Sequence, residues 1–362
     1  MHEADETNRP SSFTGLVLLV AGVALVLGAL HVAASVVTPF LLAMVLAFIL
    51  WPLFEWLRMK GLHSVLALIV LAAGLLVGIG LLGLVIGSSI SAMASRIGVY
   101  TQDLSARAQS LDAWFANHGL TVSFASVLSP DTITALFGAL VDGLAGALYQ
   151  GLVILLLLLF FLVEGPAVAE RLRRSLDEDD PNPARLVAFG RDVGQYFALR
   201  AAVNAITGAG VTLVLWLLGV DFPLLWGVLT FFLSFIPYIG MFLASVPSVL
   251  LAWAEYDLAH AVVVAVALTI VNATAENLVQ PALMHKGLNL WPTFVFVSVI
   301  FWGWLLPGGG SFLAIPISLG LLAVLGNFPA TTWFVDTVST RPAALVESHL
   351  SRAASARAER SG

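Results

Sequence analysis

One short pattern occurs twice in the C-terminal half of this chain, and each copy breaks an apolar run. Pro237-Tyr238-Ile239-Gly240-Met241-Phe242-Leu243-Ala244 is echoed by Pro307-Gly308-Gly309-Gly310-Ser311-Phe312-Leu313-Ala314, and a further proline follows each copy, at Pro247 and Pro316. Both interrupted runs also open near a proline, Pro223 in the first and Pro292 in the second. Proline removes a backbone donor and glycine tolerates angles that other residues resist, so together they stop a helix at one place. In a bilayer such a break survives only where protein or a water-filled cavity surrounds it. Paired breaks at corresponding positions of two repeats point to a transport site.

Composition puts these runs in a membrane. With 59% hydrophobic and 10% charged residues over 362 positions, and a mean hydropathy of +0.97, the chain is far more apolar than a water-soluble domain, in which roughly a quarter of residues are charged. The runs are too long and continuous for the short alternating strands of a barrel, so the expected fold is all-α, a polytopic helical membrane protein. About six full spans and two broken re-entrant hairpins are predicted, about eight apolar segments in all. There are no cysteines, and no cofactor or metal is expected. The formal charge of −6 comes without a basic tract, which argues against nucleic acid.

Along the chain, residues 1–12 form a polar tail and 13–94 carry spans one to three. Residues 95–147 turn amphipathic, with Arg96, Asp103, Arg107, Asp112, Trp114, Phe115, Asp131 and Asp142 among apolar residues. That pattern suits helices lying on or just outside the membrane. A fourth span covers 148–164 and an arginine-rich segment 165–196. The broken-helix core covers 197–326, with its two repeats at 222–253 and 293–326, and a polar tail covers 327–362. On α-helical span three, Gly74, Gly78, Gly83 and Gly87 stand in small-xxx-small spacing, suited to an oligomer interface or to packing within the chain.

Lysine and arginine are retained on the cytoplasmic side. Arg58, Lys60, the arginine-rich segment and the arginines of the C-terminal tail therefore place both termini inside and 95–147 outside. In the first repeat, Pro223 to Ile236 is about 14 residues, roughly 21 Å as a helix, too short for a core of roughly 30 Å. Two topologies are compatible with this length. Two broken full spans would put Glu255-Tyr256-Asp257 inside and Lys286 outside, whereas two hairpins put the acidic turn outside and Lys286 inside. The charge rule favours hairpins entering from opposite faces with their tips meeting near the midplane.

Between the repeats, Thr269, Asn272, Glu276 and Gln280 are spaced by three and four and so share one helical face. Glu276 is ionisable at a depth where charge is costly, which makes it a candidate site residue. The alternative is that it lies near the helix end beside Pro281 and pairs with Lys286 or Arg200. Asn277 next to it, and Asn204 and Thr207 on the fifth span, are candidates for the same cavity. Tip residues Pro237, Tyr238, Gly240, Pro307, Gly308, Gly309 and Gly310 complete the candidate set. Half-helix N-termini after Gly240 and Gly310 suit an anion or an oxygen-rich solute, and carbonyls freed at the breaks suit Na⁺.

Several of these stretches resemble one family. Glu276-Asn277-Leu278-Val279-Gln280-Pro281, then Gly287, Leu288, Leu290 and Pro292, then Trp302-Gly303-Trp304 through Leu313-Ala314-Ile315-Pro316, are similar to the signature of the autoinducer-2 exporter family. Phe160-Phe161-Leu162-Val163-Glu164-Gly165 and Ile236-Pro237-Tyr238-Ile239-Gly240 resemble two further motifs of that family, and the likeness covers most of 13–326. One position departs: Pro307-Gly308 stands where the family reads Gly-Pro, which bears on substrate more than on fold. The resemblance implies a secondary transporter in the bacterial inner membrane that exports a small hydrophilic solute such as autoinducer-2. It also implies coupling to Na⁺ or H⁺, lipid contacts, and homo-oligomers, pentamers by resemblance. A sodium/proton antiporter is the nearest alternative. An intramembrane enzyme would need a nucleophile and base, but neither HExxH nor GxSxG occurs. A channel would need rings of polar groups where one stripe exists, and a non-transporting scaffold would need no solute path.

Overall fold

The computed structural model describes residues 12–175, 182–283, 290–325 and 331–338, and every element in them is a helix. Two apolar helices come first, α1 (Ser12–Val32) and α2 (Ala34–Met59). Two very long ones come next, α3 (Ser64–Asn117) and α5 (Pro130–Ser175), joined through the single turn α4 (Phe124–Val127). At 54 residues, α3 is about 81 Å long, more than twice the thickness of a hydrocarbon core. Span three therefore does not give way to separate surface helices at residue 95. Both α3 and α5 run unbroken through the boundaries expected near 95 and 148, and the amphipathic stretch is their paired extension. Tyr100, Leu104, Ala108 and Leu144 in it pack into the cluster around the first hairpin, and Asp112 closes the far end by accepting the backbone N–H groups of Phe124 and Ala125.

The next helix, α6 (Asn182–Leu217), also begins earlier than expected, inside the arginine-rich segment. After it come two short helices, α7 (Pro223–Leu233) and α8 (Gly240–Glu255), then α9 (Leu258–Thr274), a π-helical turn at Ala275–Val279 and α10 (Gln280–Leu283). The last elements are α11 (Pro292–Leu305), α12 (Gly310–Leu325) and α13 (Thr332–Val338). Among the described residues five helices are long and apolar enough to cross a membrane: α2, α3, α5, the Val193–Leu217 part of α6, and α9 continued to Leu283. There are six if the bent pair α11–α12 counts as one span, against about six full spans expected from sequence. Lys286 and the rest of the His285-Lys286 turn lie outside the described residues.

Both repeats fold back on themselves. After α6 ends, α7 departs from Asp221, and α8 returns to the same place. There the Glu255 carboxylate accepts the Asp221 backbone N–H at 3.2 Å, and the Tyr256 hydroxyl donates to the Gly219 carbonyl at 2.9 Å. Chain entry and exit are thus at one end, as in a hairpin. In the second repeat α11 and α12 bend by 117°, and Val295 near the start of one packs in a cluster with Leu322 near the end of the other.

A scaffold and a core can be told apart by what they bury. Ala43 and Phe54 of α2, Ala67 and Leu71 of α3, and Leu155, Leu158 and Leu162 of α5 form one cluster. A larger cluster centres on the first hairpin, where Leu225 and Trp226 are fully buried among Tyr100 and Leu104 of α3, Val211 and Leu215 of α6 and Leu268 of α9. Where α6 meets α7, a Cβ on Gly208 would come within 2.6 Å of the Gly227 carbonyl oxygen, so small residues allow the backbones to touch. The glycines of α3 behave differently. A Cβ at Gly74, Gly78, Gly83 or Gly87 would meet nothing within 4 Å, so among the described residues no other helix of this chain touches them; the pairs Gly74/Gly78 and Gly83/Gly87 lie on opposite faces of α3.

Candidate functional site

The two tips are built alike because the same residue solves the same steric problem. At the first, Ser234 to Ile239 turn the chain, with Tyr238 at φ 64°, a left-handed conformation that costs a side-chain-bearing residue about 1–2 kcal/mol. A Cβ on Gly240 would overlap the Leu233 carbonyl oxygen, so only glycine lets α8 start against the end of α7. At the second tip Gly308 takes φ 87° beside the Gln150 side chain, and a Cβ on Gly310 would overlap the Trp302 carbonyl oxygen. Gly309 lies against Thr38 and Leu42 of α2. Pro237 and Pro307 stand in the turns themselves, where neither owes a backbone donor to a helix.

The tips approach each other through aromatic rings. Phe235, just past α7, lies 4.6 Å from Phe312 at the start of α12, and Phe197 of α6 stacks on Phe312 at 5.5 Å. Val45 of α2 and Leu313 close the same cluster. The two tips are therefore in direct contact.

Beside this junction α6 carries a buried arginine. Arg200 is 7% exposed; its Nη2 donates to the Ser234 carbonyl at 2.8 Å and pairs with Glu276 Oε1 at 3.0 Å, while Nη1 donates to Gln280 Oε1 at 2.7 Å. One guanidinium thus ties the first tip to the π turn after α9. Asn204, one turn further along α6, donates to the Phe231 carbonyl at 3.2 Å. Carbonyls freed at the first break are therefore capped by side chains of α6, where the sequence suggested they would be left for Na⁺. Among the described residues, no group of three or more acidic, histidine or cysteine side chains is placed to hold a metal ion.

Of the residues singled out from sequence, the structure gathers Glu276, Gln280, Asn204 and the tips, and it pairs Glu276 with Arg200, the arrangement set out from sequence as the alternative to a site role. Thr207 is buried near them but donates to Val203 of its own helix. Thr269 and Asn277 are exposed and bond back to Ala265 and Ala273, and Asn272 is half-buried. The single-face stripe is split because the turn at Ala275–Val279 is π-helical, with the Gln280 N–H reaching the Ala275 carbonyl. The extra residue rotates the downstream helix by about 100° relative to an α-helical register. Pro281 contributes by withholding the N–H that would bond Asn277. Sequence reasoning missed Arg200 and Ser234 as site residues. A signal for Arg200 existed: with Asn204 and Thr207 it makes an i, i+4, i+7 polar line on α6.

Long apolar helices around two folded-back helical breaks, with an ionisable cluster at the tips, describe a multi-pass membrane protein built like a transporter. A sequence model described as "AI-2E family transporter" matches residues 16–330, and the chain belongs to that family. It is 28% identical over 307 residues to "AI-2 transport protein TqsA" of Escherichia coli K12, covering 84% of this chain and 89% of that one. It is also 27% identical over 318 residues to "Putative transport protein YhhT" of the same strain, covering 86% and 91%. A "Putative transport protein" of Haemophilus influenzae Rd is 27% identical over 322 residues, covering 86% and 92%.

Proposed function

We propose that this protein is a secondary transporter of the bacterial inner membrane that exports a small hydrophilic solute of the autoinducer-2 kind, working as a homo-oligomer. The observation that carries this reading is the junction of the hairpin tips at Phe235 and Phe312, next to buried Arg200 and its partners Glu276 and Gln280. An aromatic plug between two short, folded-back helices, flanked by charge, is a gate beside a binding position. A scaffold would gain little from holding a buried arginine there, since burying its charge costs more than apolar packing. The named relative TqsA supports the choice of solute. Glu276 is the proposed coupling group, able to carry H⁺ or Na⁺ when it leaves Arg200, with Asn272 and Gln280 beside it and Thr269, Asn277, Asn204 and Thr207 on the surrounding helices.

Purified protein in proteoliposomes should release autoinducer-2 at a rate that follows a pH or sodium gradient, and Glu276→Gln should remove the gradient dependence while assembly is kept. Flux of no solute under any gradient would overturn the transport reading. Full gradient-driven flux in the Gln variant would make Glu276 structural.

A further inference from the structure

Four buried side-chain polar atoms have no hydrogen-bond partner among the described residues: Thr38 Oγ1, Arg200 Nε, Ser234 Oγ and Glu255 Oε1. Native proteins rarely leave such atoms unpaired, so each calls for an explanation. Three of the four sit at the hairpin tips. Arg200 and Ser234 are 7% and 6% exposed and are joined directly through the Ser234 carbonyl; Thr38 borders Gly309 of the second tip.

The free donor on Arg200 is informative because of where it lies on the guanidinium. Nε and Nη2 form one edge, the edge that takes both oxygens of a carboxylate in parallel bonds. Here Nη2 donates to the Ser234 carbonyl and lies 3.0 Å from one Glu276 oxygen, and Nε holds nothing. Glu276 thus balances the charge of the guanidinium through an ion pair alone and leaves the Nε donor free. Of the pair it is also the looser member. Its side chain is 38% exposed against 9% for Arg200, and it stands on a π turn, whereas Arg200 is pinned by Ser234 and Gln280. Ser234, whose carbonyl Nη2 reaches, also carries a buried hydroxyl with no partner among the described residues.

We propose that the Nε–Nη2 edge of Arg200, with Ser234 Oγ, is an oxyanion-binding position at the first hairpin tip, and that Glu276 is a built-in stand-in displaced by a solute bearing a carboxylate or a comparable planar oxyanion. This deepens the transport reading and rests on it: the solute class is small organic anions in preference to neutral polyols. Displacement releases the Glu276 carboxylate, which becomes free to take up a cation, so solute and ion binding are linked through one guanidinium.

The test uses the purified full chain in lipid nanodiscs, with acetate as the probe and acetamide as its neutral counterpart, read by isothermal titration. Removing the stand-in should expose the site, so Glu276→Gln should bind acetate about tenfold or more tighter than the unaltered protein, the scale expected of a charge-assisted bidentate pair. Acetamide binding should not change. Adding Arg200→Gln to Glu276→Gln should abolish the gain, and adding Ser234→Ala should reduce it. If Glu276→Gln does not assemble, Glu276→Asp, which retracts the carboxylate by one methylene, should show a smaller gain in the same direction. Unchanged acetate affinity in an assembled variant, or a gain that survives loss of Arg200, would overturn the proposal. Flux separates this failure from that of the transport reading: a protein that moves a neutral solute yet shows no acetate gain is still a transporter, whereas an acetate gain without flux of any solute leaves a binding site in a protein that does not transport.

Discussion

Gly240 and Gly310 do the same work at the two tips, and the repeated motif marks both in the sequence. Each lets a helix begin against a carbonyl oxygen of the helix before it, Leu233 and Trp302 respectively. Gly240→Leu and Gly310→Leu should each abolish flux in proteoliposomes while the protein still inserts and elutes as an assembled species, because the clash is confined to a tip. Near-normal flux in both would reduce the repeat to a packing motif. Arg200 is harder to read. In sequence it closes a charged stretch that looks cytoplasmic, and only its register with Asn204 and Thr207 separates it from Arg191. Ser234 gives no signal, because a serine beside a helix break is ordinary and its importance comes from a carbonyl that Arg200 reaches across 34 positions.

At the scale of elements, the hairpins and spans are legible because length and apolarity alone decide whether a helix can cross a bilayer. The paired extension of α3 and α5 is not. Amphipathic helices on a membrane surface and amphipathic helices packed on each other share one hydrophobic pattern, and only tertiary contacts tell them apart. Nor is the π turn visible, since one inserted residue leaves no mark in composition.

The extension has a consequence at the base of the first hairpin. Arg96 and Tyr100 of α3 both donate to Asp221, whose backbone N–H is held by Glu255, around a cavity of about 480 Å³ also lined by Asp103 and Tyr256. Burial pushes the Glu255 carboxyl up to about 7; the neighbouring Asp221 charge adds to the rise, while the Asp221 N–H and Arg96 oppose it. The other groups facing this turn are Asp257 and His260 at the start of α9. A carboxyl raised above its unfolded value contributes stability in full below about pH 4.5, and that contribution is lost as pH rises through about 7. Spin labels at Gln109→Cys and Leu258→Cys should therefore give a narrower distance distribution at about pH 5.5 than at about 8.5, and Glu255→Gln should stay narrow at both. A width independent of pH in the unaltered protein would count against a latch at this turn.

For the whole molecule, two surfaces matter most. The glycines of α3 that no described helix of this chain covers are the proposed contact between copies. Gly74→Leu with Gly78→Leu, which share one face, should lower the assembled mass seen by light scattering while the helical circular dichroism stays the same; an unchanged mass would place the contact elsewhere. Orientation is set by α2 running against α6, with Phe48 at Gly190 and Gly194 and with Thr38 and Leu42 toward the second tip. Arg58 and Tyr256 then lie at opposite ends of the core. In this cysteine-free chain, Arg58→Cys should label from the cytoplasmic side and Tyr256→Cys from the other, and labelling of both from one side would replace the hairpins with broken full spans.

In the proposed transport path the solute passes where the two tips meet, and a chain without native cysteines allows the path to be tested there. Phe235→Cys with Phe312→Cys, joined by a short reducible thiol cross-linker, ties together residues whose rings lie 4.6 Å apart. Solute flux in proteoliposomes should fall to background on cross-linking and return when the link is reduced. Undiminished flux through fully cross-linked protein would contradict the account, because a path that ignores a closed junction does not run between the hairpins.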